Sequence, residues 1–124
     1  MGYTLGARSL QNLSGVHPDL VAVVKLAISK TEQDFTVIEG IRNINRQREL
    51  VKTGKSTTMN SRHITGHAVD VCPWPVSWEW ELFYPIADAM KEAAEELGVE
   101  LEWGGDWKSF PDAPHFQLSR KTYP

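Results

Sequence analysis

"SRHITGHAVD", residues 61–70, admits two folds. As a helix it sets His63 and His67 one turn apart on one face, the spacing of two metal ligands in the H-E-x-x-H motif. As a turn followed by a strand it separates them. The residue types decide between the two. The motif needs a general-base Glu directly after its first His, and Ile64 stands there. Thr65 and Gly66 are poor helix formers, and Gly66 permits a tight turn. From His67 onward Ala68, Asp70 and Cys72 point to one side of a strand and His67, Val69 and Val71 to the other. The face with small residues and an acid is the one suited to line a site. Asp70, rather than His67, is therefore the expected partner of His63, with His67 turned away.

Distance adds a condition. Fully extended, the chain from His63 to Asp70 spans roughly 23 Å, whereas ligands sit about 2 Å from a zinc ion. The two residues share a metal only if the chain folds back at Gly66. A third ligand is offered by "DAPHFQL", residues 112–118, where His115 opens a strand after Pro114. Two imidazoles and one carboxylate leave a coordination position for water, the pattern of catalytic rather than structural zinc. Asp112 lies close enough to His115 in sequence to reach such a water without being a ligand.

Around these motifs the chain reads as an α+β domain. "VHPDLVAVVKLAISKT" is a helix: Pro18 suits the first helical position, Asp19 the positive end, and Leu20, Val23, Val24, Ala27 and Ile28 form one apolar stripe. His17 is placed to cap it. "DFTVIEG" is a strand and "NRQRELVKTG" a short helix stopped by Gly54. "KSTTMNS" is a polar loop. "PWPVSW" is irregular, and its tryptophans, with Trp80, are expected to pack that loop. "EWELFYPIADAMKEAAEELG" is helical, with Pro85 expected to kink or divide it. "VELEW" and "HFQLS" are short strands flanking the loop "GGDWKSFPDAP". The order α, β, α, β, α, β, β implies a small, mainly antiparallel sheet with helices packed around it and a site in a cleft on the sheet.

Bulk properties are those of an ordinary globular protein and say little about catalysis. The 124 residues fit one domain, 1–124, able to bury its own core. A net charge of −3 argues against a dedicated nucleic-acid binder. The single cysteine, Cys72, excludes an internal disulfide and reads as a buried small hydrophobe. The first residues carry no apolar signal segment, and no run is long enough to span a bilayer.

In that order, "VIEGIRN", "SRHITGHAVD", "WGGDW" and "DAPHFQL" resemble the phage L-alanyl-D-glutamate peptidases, a branch of the zinc peptidases related to D-alanyl-D-alanine carboxypeptidases and dipeptidases. The similarity runs from about Gly15 to Leu118. It implies that His63, Asp70 and His115 hold Zn²⁺, that Asp112 is the general base, and that Arg42 faces the reacting carbonyl and stabilises the oxyanion. Ser61 matches a serine that touches substrate or supports the first ligand. Asp106 is expected either to support a ligand histidine or to shape the loop over the cleft. Arg46 is a weaker competitor of Arg42 and reads as a surface residue. The implied activity is hydrolysis of peptidoglycan stem peptides by a monomeric endolysin with no separate wall-binding module. It would wait in the host cytoplasm until a holin opens the membrane. The same metal site would serve a D-alanyl-D-alanine carboxypeptidase or dipeptidase, and a binding domain without catalysis is a third possibility.

Overall fold

The apolar stripe of the first long helix is fully used. In the computed structural model, which describes residues 2–56, 59 and 61–124, helix α2 spans Pro18–Lys30 and buries Leu20, Val23, Val24, Ala27 and Ile28. The His17 Nδ1 atom accepts the Asp19 amide at 3.0 Å and caps the helix. A six-residue helix, α1 (Ala7–Asn12), precedes it. The stripe of α2 packs against α4, Trp80–Leu97, which buries Phe83, Ile86, Met90, Ala93 and Ala94. Pro85 does not divide α4. Its missing N–H falls in the second turn, where the abandoned carbonyl belongs to the exposed Glu81 and is open to water.

Four strands form one sheet in the order β1-β2-β4-β3, every neighbouring pair antiparallel. They are β1 (Phe35–Glu39), β2 (Ala68–Pro73), β3 (Leu101–Trp103) and β4 (His115–Leu118). Helix α3, Ile44–Lys52, follows β1 and is capped by the Asn43 side chain, which accepts the Arg46 amide at 2.8 Å. The expected α+β class and antiparallel sheet are thus present.

In β2 and β4 alternate residues divide between two faces. Val69, Val71, Phe116 and Leu118 are fully buried in the core with α2 and α4. Asp70, His115 and Gln117 turn to the other face and line a cleft. Asp70 stands directly opposite His115 in the ladder. On its other side the β1–β2 register shifts between Val37 and Glu39, which sets Glu39 opposite Asp70. Without that bulge Ile38 would occupy the place, and a bulge is the usual device for re-aiming a side chain beside a site. Glu39, Asp70 and His115 therefore form one row across three strands.

The tryptophans depart from expectation. Trp74, Trp78 and Trp80 remain 53%, 59% and 42% exposed. Trp78 stacks on Phe83 and Trp80 leans on Trp103.

Candidate metal centre

His63 reaches Asp70 because the chain between them turns back. Gly66 has φ 77°, in the left-handed region that glycine enters freely. A Cβ there would also lie 2.8 Å from the Gly15 carbonyl oxygen. The turn is closed by the His67 amide donating to the Arg62 carbonyl at 2.9 Å. His67 faces away from the cleft, with its Nδ1 2.6 Å from the Thr65 hydroxyl and its ring 5.5 Å from that of His17. The fold-back at Gly66 and the exclusion of His67 both follow the expectation from sequence.

Among the described residues, His63, Asp70 and His115 bring one ligand atom each within 4.8 Å of one another. His63 Nε2 and His115 Nδ1 each lie 3.2 Å from Asp70 Oδ1. Tetrahedral ligands about 2.05 Å from a zinc ion are separated by about 3.3 Å, so the spacing suits such an ion. The far nitrogens fix the tautomers. His63 Nδ1–H donates to the Gly40 carbonyl at 2.8 Å, and His115 Nε2–H donates to Gln117 Oε1 at 2.8 Å. Both near nitrogens then present lone pairs to a carboxylate oxygen. Three lone pairs meeting with no hydrogen between them require a cation, either a proton or a metal ion. The donor set therefore fits a divalent metal, with outer partners of the kind that orient ligand histidines.

Neither outer partner is among the candidates drawn from the sequence. Gly40 contributes only a backbone oxygen, although its need to be glycine is strict: a Cβ there would lie 1.9 Å from the Asn12 carbonyl oxygen. Gln117 lies two residues beyond His115 on the same strand face, which the period of a strand would have revealed.

The remaining candidates divide. Asp112 lines the cleft with the triad. Burial by the cleft walls and then the nearby charge of Asp70 raise its carboxyl above the ordinary range, against the pull of His115, His63 and Arg42. Arg42 also lines the cleft but is clamped. Its Nε and one terminal nitrogen donate to the two Glu39 oxygens at 2.8 and 2.6 Å, and the other terminal nitrogen to Gln47 at 2.7 Å. The Arg42 guanidinium lies 3.8 Å from Asp70 Oδ2. Ser61 lines the cleft, and its Oγ accepts the His63 amide at 3.2 Å. Asp106 supports no ligand histidine. A single turn of 3-10 helix, Gly104–Asp106, carries it outward to Lys91, 2.8 Å away. The support expected of Asp106 is supplied by Gln117. Cys72 is buried away from the triad. Trp107, Phe110 and Pro111 add an apolar part to the cleft lining.

The sequence matches the family described as phage L-alanyl-D-glutamate peptidase over residues 1–123. The chain belongs to this family. Family members include the L-alanyl-D-glutamate peptidase of Escherichia phage T5, 32% identical over 99% of this chain and 94% of that protein. The L-alanyl-D-glutamate peptidase of Listeria phage A118 is 31% identical over 94% of this chain but only 43% of its own length. The crystal structure of the Serratia marcescens L-Ala D-Glu endopeptidase ChiX superposes with a TM-score of 0.92 at 54% identity, covering 95% of this chain and 91% of that one.

The electrostatics of the triad yield a prediction for the metal-free protein. Burial lowers the His115 imidazolium, but the hydrogen bond and charge of Asp70 outweigh it and raise its pKa above the ordinary 6.5. Burial raises the Asp70 carboxyl, but His115 and His63 outweigh that and hold it far below the ordinary 3.8. A raised histidine contributes stability that is complete below its unfolded pKa and lost as pH rises through its folded one. A depressed carboxylate contributes stability above its unfolded pKa, lost as pH falls through the folded one. The pair therefore contributes most between 3.8 and 6.5. In chelator, the urea midpoint should be higher at about pH 5.5 than at about pH 8.5. With zinc the order should reverse, because metal displaces the proton and its affinity rises with pH. A midpoint in chelator unchanged over this range would refute the assignment.

Proposed function

We propose that this chain is a single-domain, monomeric endopeptidase that hydrolyses the L-alanyl–D-glutamate bond of peptidoglycan stem peptides, with Zn²⁺ held by His63, Asp70 and His115. The carrying observation is the convergence of three lone pairs beside Asp112 in a cleft of about 690 Å³, in a chain of this family. A zinc ion bound there supplies Lewis acidity, polarising a carbonyl and making water more acidic. Asp112 takes the proton of the attacking water and returns it to the leaving amine; its raised carboxyl suits both halves of that task. Arg42 stabilises the oxyanion. A guanidinium has five N–H groups, and the three hydrogen bonds to Glu39 and Gln47 fix its plane while leaving donors for substrate. Ser61 holds the His63 backbone in place.

The biological setting proposed is host lysis by a phage or prophage. In that setting the enzyme would reach the wall through membrane lesions made by another protein.

Purified peptidoglycan digested with and without chelator, then analysed by mass spectrometry, tests the reading. New N-terminal D-glutamate, lost with chelator, is the expected result. Release of D-alanine or its dipeptide would assign the site to a carboxypeptidase or dipeptidase instead. No cleavage by fully zinc-loaded protein would overturn the peptidase assignment.

A further inference from the structure

The wall that α3 presents to the cleft is cationic. On α3, Arg46 and Leu50 lie four residues apart and both line the cleft, with Arg42 just before the helix and Gly54 and Lys55 just beyond it. Side chains at that spacing share one face. Among the described residues the cleft gathers five cations, Arg42, Arg46, Lys55, Arg62 and Arg120, against three acids, Glu39, Asp70 and Asp112. The cleft is thus net positive in a chain whose net charge is −3, before any metal ion is counted. That imbalance favours an anionic ligand.

Two of these cations are already committed. Arg42 is held by Glu39 and Gln47. Arg62 is buried, with its guanidinium donating to the carbonyls of Leu118 and Tyr123. Arg46 and Lys55 differ. Both are exposed at the cleft wall, and neither forms an ion pair among the described residues. Arg46 is exposed, as its sequence context implies, and it also lines the cleft.

The proposed substrate carries a matching group. A D-glutamyl residue has two carboxyls, and at most one continues the peptide chain. The other is a carboxylate or an amide, a few bonds from the scissile nitrogen. We infer that Arg46 and Lys55 form a carboxylate-reading wall that selects stem peptides whose D-glutamyl residue keeps its free carboxylate over those in which it is amidated. This rests on the peptidase reading above. Arg46 supplies a planar fork suited to a carboxylate and Lys55 a mobile point charge.

Three synthetic stem peptides test it: one with the free carboxylate, one with that group as carboxamide, and one with only the distal carboxyl terminus amidated. The zinc-loaded protein should cleave the first with kcat/KM about tenfold above the second, a difference of about 1.4 kcal/mol, and should treat the third like the first. Arg46→Gln and Lys55→Gln should each narrow the ratio, and the double variant should bring it near unity. Arg46→Lys should restore part of it. Raised salt should also shrink the ratio, because the wall is exposed. Equal rates on the first two peptides, or a ratio unmoved by the double variant, would overturn the wall alone. A preference that follows the distal carboxylate would also overturn it. Failure of the zinc-loaded protein to cleave any of the three would overturn the peptidase reading, and the wall with it.

Discussion

Asp112→Asn is expected to lower kcat/KM on a stem peptide by about 10²–10⁴-fold while leaving bound zinc unchanged. The substitution keeps the shape of the side chain and removes its capacity to take a proton. Asp112 lines the cleft but is not one of the three residues whose ligand atoms converge, so the metal should not register the change. Its backbone is independently secured, with the amide donating to the Gly104 carbonyl at 2.8 Å and the carbonyl accepting from His115 at 3.2 Å. Metal content by elemental analysis, read beside the kinetics, separates the two roles. Cleavage within a few-fold of the parent would remove Asp112 from the mechanism. Loss of zinc together with activity would make it a support of the centre instead.

The second large effect should divide two neighbouring histidines. His63→Ala should weaken zinc binding by more than about 100-fold, the upper range for loss of an outer partner alone. His67→Ala should leave zinc in place. His63 brings Nε2 to 3.2 Å from Asp70 and is itself oriented by Gly40. His67, on the far side of the Gly66 turn, spends its Nδ1 on Thr65. Competition against a chromophoric chelator gives both affinities. The reverse pattern would mean that the centre is not where the lone pairs meet.

The residues of the cluster are legible in sequence because their constraints are local: Ile64 excludes the helical motif, Gly66 supplies the turn, and Pro114 starts the strand of His115. Longer-range facts were not legible. Nothing near Asp70 announces that His115 stands opposite it, because strand register is set by the whole packed sheet. Asp106, flanked by tryptophans in "WGGDW", invites an inward reading, but the 3-10 turn rotates it to Lys91. Helix α1, six residues long, is too short to declare itself, and it packs against β1. Size and apolarity alone place Trp74, Trp78 and Trp80 in packing, but they stay half in water.

The row of Glu39, Asp70 and His115 gives the centre a parity. Each member is correct only modulo two along its strand: slip β4 by one residue against β2, and Phe116 or Pro114 meets Asp70 while the imidazole swings into the core. The long excursion from β2 through α4 to β3 is under no such rule, since it needs only to return β4 to the right rung. Chain length between the ligands is thus free to drift, while the count within a strand is fixed. An ion held by His63, Asp70 and His115 would act as a check digit for the sheet, bound tightly only when β2 and β4 agree on their numbering.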